Sequence, residues 1–574
     1  MRKIILFFIS ICNLIVCNAQ APQLQWVKQL GGSSYDLPGS VAVDASGNVY
    51  TVGYFTGSSD FDPGVGTTIL TTITYPDCFI SKLDAAGNFL WAKQIGGPLP
   101  DGGSSITVDV SGNIYITGEF SGTADFDPNA GTYTLTSLGG SDIFILKLDP
   151  GGNFLWAKQM DGVLDEYGTT ISIDAAGNIY TKGTFQGTVD FDPGVGTYTL
   201  AADGSDDVFI SKLNSFGNFV WAAQLGGNSY YSGISIAVDA LGNVYTTGSF
   251  YGIADFDPGP AVFNLTCSIN YNDIFISKIN SSGNFIWAKQ IGGKYFDDGQ
   301  SLALDAMNNV YITGNFSDTV DFDPGIGITN LIDTTYGSDD IFVLKLNSSG
   351  NFIWVRQMGG TSYSEGASIA TDVNGNSYTT GNFKGVADFD PSANNFYLTS
   401  FGGNSDVFIS KLDNAGNFLW AQQLGGNADE FANAITIDPS GDIYSVGVFY
   451  GTTDFDPGLS VINLNSFGQG DVYVHKLSQS SVGIVERRFA IDINLYPNPC
   501  KDILHFKIRD YDLENKLYNI QIINCNGQLM YEDNLFYNGD QTAFNIGNLP
   551  NGIYILNLKD NNSRTISKRF VIAK

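Results

Sequence analysis

The sequence is poor in the residues from which many functional sites are built. Among 574 residues there are only 2 histidines and 6 cysteines, and 58 acidic residues stand against 28 basic ones. Two histidines are too few for a histidine-rich zinc set and leave no Ser/His/Asp arrangement to argue for. Six cysteines in so long a chain exclude a disulfide scaffold.

Positive charge and long apolar runs are scarce as well. The formal net charge is −30, and a surface of that sign repels nucleic acid and anionic lipid, so we expect neither as a partner. No segment shows an apolar period of about 3.6 residues, which excludes a helical solenoid. Beyond residue 20, no apolar run approaches the roughly 20 residues of a membrane helix, so no transmembrane segment is predicted.

The chain is rich in one long repeat. Asp-Phe-Asp-Pro occurs seven times at intervals of 65 to 67 residues, and the seven tryptophans keep the same interval. The copies begin at Asp60, Asp125, Asp190, Asp255, Asp321, Asp388 and Asp454. A period of this size indicates an architecture of repeated units.

Each repeat predicts four antiparallel strands, which we name A, B, C and D. In one repeat, residues 170–174 and 179–183 alternate around an Asp-Ala-Ala-Gly-Asn turn, and residues 208–213 and 219–224 form a second hairpin. The Asp or Asn that leads such turns is predicted to accept backbone N–H groups, with Gly and Asn in left-handed conformations. Repeated four-stranded units are typical of β-propeller blades.

The two ends of the array predict how it closes. Strand D follows the first six C strands but not the seventh, Val472–Leu477, and a matching strand stands alone at Leu24–Gly32. Completion of the last blade by the N-terminal strand would remove exposed sheet edges. We therefore predict an all-β fold in which residues 24–478 form a seven-bladed β-propeller closed by its N-terminal strand.

Three segments of the array carry a family resemblance. Val43–Tyr50, Phe79–Leu83 and Trp91–Gly97 resemble the bacterial seven-bladed β-propeller repeat family and, more loosely, NHL-type repeats. The resemblance covers residues 24–478. It implies the fold but no ligand, because a fold does not fix a function.

The two ends of the chain differ from the array in composition. Residues 1–20 combine a basic start, an apolar run and a small residue at Ala19, which is typical of a secretory signal peptide. A polar linker at residues 479–492 precedes a last unit at residues 493–574. The strand pattern of this unit predicts a small Ig-like β-sandwich.

This last unit resembles a known export domain. Tyr496–Pro499, the Asn526-Gly527 turn, Leu549–Tyr554 and the basic last strand resemble the C-terminal sorting domain of the type IX secretion system. The resemblance implies the type IX secretion machinery as a partner, removal of the domain, and a secreted or outer-cell-surface location. A generic adhesion-like sandwich is the alternative.

Basic residues are tied to the repeat. Strand C carries a lysine at one fixed position: Lys82, Lys147, Lys212, Lys278, Lys345, Lys411 and Lys476. A strand with neighbours on both sides cannot leave an ammonium unpaired, so we predict ion pairs with the aspartates of Asp-Phe-Asp-Pro. Each tryptophan is predicted to pack between blades, and the glutamine three residues later to satisfy buried backbone groups.

The paired aspartates allow two interpretations. In Asp-Phe-Asp the carboxylates point the same way on a strand while the phenylalanine enters the core. They form either a capped turn or a calcium site, since Ca²⁺ takes roughly six to eight oxygens. The candidate calcium ligands are Asp60, Asp62, Asp125, Asp127, Asp190 and Asp192. No other cofactor is predicted.

Function is predicted where the repeats differ. The D-to-A and B-to-C connections share one face of the predicted propeller, and they interleave aromatic with acidic residues, which suits sugar stacking or peptide binding. The candidate binding residues are Tyr35, Tyr167, Tyr230, Tyr231, Tyr295, Phe296, Tyr363 and Phe431. The alternative is that these side chains tuck under the loops.

Three functional classes remain open. The first, which we favour, is a binding or adhesion module for an extracellular glycan or protein. The second is a polysaccharide-acting enzyme with two loop carboxylates, although the sequence singles out no catalytic residue. The third is a purely structural surface protein. An enzyme is expected to show one pocket with an acid of raised pKa.

Overall fold

The computed structural model describes residues 21–203, 206–226, 231–267, 271–333, 335, 337–458, 460–479, 492–509, 516–524, 528–537, 542–560 and 565–574. Every described regular element is a β-strand, so the all-β prediction is confirmed. The chain divides into two compact units, Met1–Ser480 and Ser481–Lys574. The predicted signal peptide and residues 480–491 of the predicted linker lie outside the described residues.

The strands of the first unit form antiparallel sets of four in the order A-B-C-D. The A strands are Asp36–Val43, Asp101–Val108, Glu166–Ile173, Tyr231–Val238, Asp297–Leu304, Ser364–Thr371 and Glu430–Ile437. The B strands are Val49–Phe55, Ile114–Asp125, Ile179–Phe185, Val244–Phe250, Val310–Phe316, Ser377–Lys384 and Ile443–Phe449. The C strands are Asp77–Leu83, Thr134–Leu148, Asp207–Leu213, Asp273–Ile279, Asp340–Leu346, Ser405–Leu412 and Asp471–Ser478. The D strands are Phe89–Ile95, Phe154–Gly162, Phe219–Leu225, Phe285–Ile291, Phe352–Gly360, Phe418–Gly426 and, for the last set, Gln23–Gly32.

A short hairpin between strands B and C ties each set to the one before it. Its first strand pairs with the end of the preceding D strand, as Asp60 does with Gly31 and Asp388 with Gly359. The hairpins are Ser58–Asp60 with Ile69–Thr71, Thr188–Asp190 with Thr199–Ala201, Ile253–Asp255 with Asn264–Thr266, Thr319–Asp321 with Asn330–Ile332, Val386–Asp388 with Tyr397–Thr399, and Thr452–Asp454 with Asn463–Asn465. In the second repeat the same residues belong to the longer B and C strands.

The first strand of the unit completes the last set. Gln23–Gly32 pairs antiparallel with Asp471–Ser478, with Leu30 opposite Val472. The N–H of Asp36 also donates to Gly470 O at 3.0 Å. The first and last sets are therefore joined through both sheet pairing and a loop hydrogen bond.

A lysine and a tyrosine form one contact in every set. Nζ of Lys82 on strand C lies 4.8 Å from the ring centroid of Tyr50 on strand B. The equivalent pairs are Lys147/Tyr115, Lys212/Tyr180, Lys278/Tyr245, Lys345/Tyr311, Lys411/Tyr378 and Lys476/Tyr444. Burial lowers the pKa of Lys82, and a cation over an aromatic face gains most where water is excluded.

The same lysine also reaches the next set. Nζ of Lys476 donates to Ala85 O at 3.3 Å, and Nε1 of Trp26 donates to the same carbonyl at 3.1 Å. A Cβ at Gly87, whose φ is +78°, would stand 2.8 Å from the Trp26 indole, so this turn needs glycine. The same lysine-to-carbonyl bond joins Lys82 to Pro150, Lys212 to Ser281, Lys278 to Ser348 and Lys345 to Asn414. The prediction that tryptophan packs between repeats is confirmed.

The predicted pairing of these lysines with Asp-Phe-Asp-Pro is wrong. Their ion-pair partners lie in A-to-B turns: Lys345 with Asp305 at 3.6 Å, Lys411 with Asp372 at 3.9 Å and Lys476 with Asp442 at 3.0 Å. The lysine stands near the end of strand C, whereas the motif lies beside its beginning. At about 3.3 Å per residue, one strand length separates the two groups.

The A-to-B turns are capped as predicted, with one difference. Asp44 Oδ1 accepts the N–H groups of Ser46 at 2.8 Å and Asn48 at 3.0 Å, and Gly47 has a φ of +78°. Asn48 does not adopt a left-handed conformation. Its side-chain amide instead donates to Asp44 Oδ2 at 2.7 Å.

Each repeated glutamine bonds one carbonyl and one buried carboxylate. Nε2 of Gln94 donates to Thr71 O at 3.1 Å, which confirms the predicted backbone contact, and to Asp77 Oδ2 at 2.5 Å. Asp77 begins strand C and was not predicted as a partner. Asp142, Asp207, Asp273, Asp340, Asp406 and Asp471 take its place in the other sets.

A second carboxylate faces this aspartate from the next set. Gly97 N–H donates to Asp101 Oδ2 at 2.7 Å. A Cβ on Gly96 would stand 2.4 Å from Asp77 Oδ1 and 3.0 Å from Asp101 Oδ2, so only glycine fits between the two acids. Such pairs are Asp471/Asp36, Asp77/Asp101, Asp142/Glu166, Asp273/Asp297 and Asp406/Glu430. Burial, and then the charge of Asp77, raises the pKa of Asp101 to about 7.

The second unit has two antiparallel sheets around its own core. One contains Asp492–Tyr496, Ile503–Arg509 and Thr542–Asn545, and the other contains Leu529–Tyr537, Lys516–Asn524, Gly552–Asp560 and Thr565–Ile572. Leu504 and Phe544 from the first sheet join Ile522, Leu556 and Phe570 from the second in one buried cluster.

Removal of residues 21–32 should destabilise the first unit strongly. The deletion exposes the edge of Asp471–Ser478 and takes away Trp26, which bonds Ala85. We expect the melting temperature or the soluble yield to fall sharply, measured by circular dichroism on the purified protein. Melting like that of the intact chain would show that this pairing is dispensable.

The carboxylate pairs should make the protein more stable in mild acid than in mild base. Their pKa values are raised in the folded state, to about 7 for Asp36 and Asp101 and about 8 for Glu430. The folded state therefore holds protons that the unfolded chain releases, and this stabilisation is lost as the pH rises through those values. We expect the melting temperature to fall between about pH 5 and about pH 8.

Replacement of one acid tests whether the pairs cause this slope. Asp101→Asn leaves Asp77 beside a neutral amide, so it should flatten the pH dependence of the melting temperature. Asp413→Asn is the matched control, because Asn214, Asn280 and Asn347 occupy the equivalent turn position in other repeats. An equal pH dependence of the melting temperature in both variants would contradict the assignment of this dependence to the carboxylate pairs.

Candidate binding face

The first aspartate of each Asp-Phe-Asp-Pro motif caps its own loop. Asp60 Oδ1 accepts the N–H groups of Asp62 at 3.0 Å and Thr68 at 2.8 Å. Asp125 and Asp190 bond the equivalent groups in their repeats. The phenylalanine between the aspartates enters the core as predicted, since Phe61 is fully buried against Phe55, with ring centroids 5.3 Å apart.

The second aspartate caps the turn that follows. Asp62, Asp127 and Asp192 each accept an N–H from the residue two positions later, at 2.8 to 3.0 Å. In the part of the chain that the structure describes, no three His, Cys, Asp or Glu side chains are grouped so that they could hold a metal ion. These hydrogen bonds fit the capped turn, and calcium binding by the six aspartates stays a prediction.

The predicted aromatic residues lie at or beside the starts of the A strands. The exposed fraction is 45% for Tyr35, 39% for Tyr167, 52% for Phe296, 42% for Tyr363 and 37% for Phe431, and Tyr295 is half-buried. Tyr230 lies outside the described residues, and Tyr231 begins a strand whose first side chains are not described. We call the surface formed by Tyr35, Tyr167, Tyr295, Phe296, Tyr363 and Phe431 the loop face.

B-to-C connections contribute to the same face. The N–H of Thr56 donates to Tyr35 O at 3.0 Å. Phe431 meets Tyr450 edge-on, with centroids 6.4 Å apart. The two kinds of connection therefore share one surface, as their order along the chain predicts.

Three aromatic side chains and several acids line a cavity in the loop face. Tyr271 lies edge-on to Tyr295 at 5.3 Å and to Phe296 at 4.9 Å between centroids. The cavity has a volume of about 440 Å³, and its lining also includes Ser317, Asp318, Asp333, Thr335, Ser338 and Asp339. We call it the aromatic cavity. No lysine, arginine or histidine is among the described residues that line it.

A row of supported carboxylates continues from the cavity across neighbouring repeats. Asp298 accepts hydrogen bonds from Ser249 and Asn272, and Asp339 accepts them from Ser317 and from Asn315 at 3.3 Å. Glu365 accepts them from Tyr363 and from Asn382 at 2.9 Å. We call Asp298, Asp339 and Glu365 the carboxylate belt. Burial, followed by neighbouring acids, raises the pKa values of Asp298 and Asp339.

One further acid stands apart from the belt. Glu119 on strand B accepts a hydrogen bond from Ser104 at 3.2 Å, and burial raises its pKa to about 7. Its charge contributes to the raised pKa of Tyr54 after burial. Tyr54 is the strand-B residue at the position equivalent to Glu119.

Sequence reasoning missed the belt, Glu119 and Tyr271. The signal that could have found the belt is a change within otherwise constant strands. On paired A and B strands, Asn315 lies opposite Asp298 and Asn382 lies opposite Glu365. The same two positions of the first repeat hold Tyr54 and Leu37.

Family comparisons match both parts of the chain. A model of the secretion system C-terminal sorting domain matches residues 494–573, and a beta-propeller repeat model matches residues 25–62, 90–122, 220–249 and 353–382. The chain therefore contains beta-propeller repeats and a C-terminal sorting domain. Both predicted resemblances are confirmed, and the sorting domain supports a secreted or outer-surface location.

Curated relatives are distant from this chain. An uncharacterised WD repeat-containing protein of Acanthamoeba polyphaga mimivirus is 25% identical over 74% of the chain, and the regulatory protein FlaEY of Caulobacter vibrioides is 26% identical over 29% of it. The matches span 36% and 17% of those relatives. The chain thus spans well under two thirds of the relatives' length.

One solved structure was also compared with the chain. It is the extracellular domain of a hybrid two-component system protein from B. thetaiotaomicron, 12% identical, with 95% of this chain and 99% of that chain covered and a TM-score of 0.15. So low a score supports no inference about shared architecture. Among the described residues, none belongs to a helix that is long and apolar enough to cross a membrane.

Removal of a capping aspartate should destabilise its repeat whether or not calcium is present. Asp190→Ala leaves the N–H groups of Asp192 and Tyr198 without their acceptor, which should cost about 1–2 kcal/mol in the free energy of unfolding. Asp190→Asn keeps an acceptor oxygen and should cost less. Urea unfolding with calcium and with chelator measures both variants.

Calcium binding would give a different result. Millimolar calcium would then raise the melting temperature of the intact protein, because a ligand of the folded state stabilises it by mass action. Sodium at matched ionic strength controls for charge screening. A calcium-specific rise that is absent with sodium and is lost when several of these aspartates are replaced would overturn the capped-turn interpretation.

Proposed function

We propose that this protein is an exported binding module: a seven-bladed β-propeller, closed by its N-terminal strand, that binds an extracellular glycan or protein through its loop face. Residues 1–20 act as the signal peptide, residues 479–492 as the linker, and residues 493–574 as the sorting domain recognised by type IX secretion machinery. The sorting-domain match supports export.

The binding proposal rests on the contrast between positions that are constant among the repeats and positions that vary. The lysines, tyrosines and glutamines that join the sets recur throughout the array. By contrast, the aromatic residues of the loop face and the acids of the carboxylate belt differ from repeat to repeat. Stability explains repeated residues, whereas exposed aromatic residues beside acids suit ligand contact.

Seven blades and closure are supported by the strand pairing. Each described set has four strands, and the set built on Glu430–Ile437 takes its fourth strand from Gln23–Gly32. The Lys476 and Trp26 contacts to Ala85 repeat the contacts seen between consecutive sets. A closed propeller leaves no long sheet edge exposed.

Ligand screening tests the binding proposal. The secreted protein should bind members of a glycan array or of a panel of extracellular proteins. Tyr363→Ala and Phe296→Ala should weaken that binding, and Asp413→Asn, which lies in a C-to-D turn, should leave it unchanged. Absence of any ligand would favour a purely structural surface protein, and equal binding by all three variants would contradict the assignment of the binding site to the loop face.

An enzyme acting on polysaccharides is the second candidate, and Glu119 is the observation that favours it. A buried acid with a pKa of about 7 has the property expected of a general acid. If the protein hydrolyses a polysaccharide, Glu119→Gln should abolish the release of reducing sugar without a change in melting temperature. Wild-type protein that releases no sugar would exclude this candidate.

Truncation after Leu477 should trap a folded propeller inside a host that has type IX secretion. The sorting domain belongs to a separate compact unit, so its removal should block export but not folding. Immunoblots of cell and medium fractions measure the distribution, and limited proteolysis of the retained protein checks its fold. Normal levels of the truncated protein in the medium would contradict the export assignment.

A further inference from the structure

The carboxylate belt presents hydrogen-bond acceptors. The amides and hydroxyls beside it already donate to its carboxylates, since Asn315 and Ser317 bond Asp339, and Asn382 bonds Glu365. Carboxylates only accept hydrogen bonds when ionised. A neutral sugar needs partners for both its donors and its acceptors, so this surface suits a ligand that supplies donors and positive charge.

The ion pairs formed by the described residues include none of Asp298, Asp339 and Glu365. Burial, followed by the charge of neighbouring acids, raises the pKa values of Asp298 and Asp339. Ammonium and guanidinium groups bond carboxylates more strongly than neutral donors do. A bound cation would relieve this repulsion.

The aromatic cavity supplies the second half of such a site. Phe296 is 52% exposed, and Tyr271 packs edge-on against both Phe296 and Tyr295. Nζ of Lys294 already lies 5.2 Å from the Tyr295 centroid, so this ring contacts an ammonium within the chain. An aromatic wall beside aspartates fits the aliphatic stem and the charged head of lysine or arginine.

The number of acids points to a chain with more than one positive charge. Asp298 and Asp339 belong to one repeat and Glu365 to the next, and each acid has its own supporting amide. No three described acids are grouped to hold a metal ion. A single small amine would meet only part of the belt, whereas an extended polypeptide can place successive basic side chains along it.

We propose that the carboxylate belt and the aromatic cavity bind a basic polypeptide segment, with one lysine or arginine side chain in the cavity and others along the belt. This inference rests on the proposed binding function and names its ligand class. The acidic character of the whole chain, at a formal net charge of −30, steers such a ligand towards the protein.

A labelled peptide of alternating lysine and alanine tests the inference. Fluorescence anisotropy with the full-length secreted protein should show saturable binding that weakens as salt is raised from about 0.05 to about 0.3 M. A peptide with glutamine in place of lysine should not bind. Asp298→Asn, Asp339→Asn and Glu365→Gln keep side-chain shape and should each weaken binding by about tenfold.

Two further variants separate the site from general charge attraction. Asp413→Asn removes one charge from a C-to-D turn and should change affinity by less than about twofold. Phe296→Ala alters an exposed side chain, so folding is spared, and it should reduce affinity for the lysine peptide and more so for its trimethyl-lysine form. Equal losses in Asp339→Asn and Asp413→Asn would overturn the inference.

The outcome distinguishes this inference from the function on which it rests. If the basic peptide does not bind but a neutral glycan or an acidic protein does, the ligand class is wrong and the binding function stands. If the loop-face variants alter no interaction of any kind, both fail.

Discussion

The buried ammonium group of each strand-C lysine is the interaction on which the repeat array depends. An ammonium removed from water costs several kcal/mol unless it is compensated. For Lys82, Lys212, Lys278, Lys345 and Lys476 the compensation is divided between two sets: a tyrosine ring in the lysine's own set and a backbone carbonyl in the next. Each of these lysines therefore stabilises the contact between its set and the neighbouring one.

At the opposite end of the strands, adjacent sets are in contact through carboxylates instead of lysines. There, carboxylates from adjacent sets meet across a glycine, as Asp77 and Asp101 do across Gly96. Cationic contacts at one end and acids of raised pKa at the other give the array two unlike edges. The loop face lies at the acidic edge, which explains why the exposed aromatic residues are surrounded by negative charge.

Much of this fold could be predicted because the same strand patterns and turn residues recur in every repeat. Four strands per repeat, the turn aspartates and the pairing of the N-terminal strand with the last set all follow from periodicity and turn residues. The lysine partners could not be predicted. A repeat period shows which residues are equivalent between repeats, but it does not show which turn lies beside which end of a strand. The belt was missed for a related reason: Asp298 is single-copy, and its partners Ser249 and Asn272 come from the preceding repeat.

The pairing that completes the last set affects the order in which the sets fold. The Gln29 side chain bonds Asp471, 442 residues away, whereas the other sets take all four strands from one stretch of chain. Closing a flexible loop of that length costs about 5 kcal/mol in chain entropy, so sets with local contacts should form first and the shared set last. Until the two ends meet, Asp471–Ser478 presents a bare sheet edge. The latest event in folding therefore removes the surface most prone to pair with another chain.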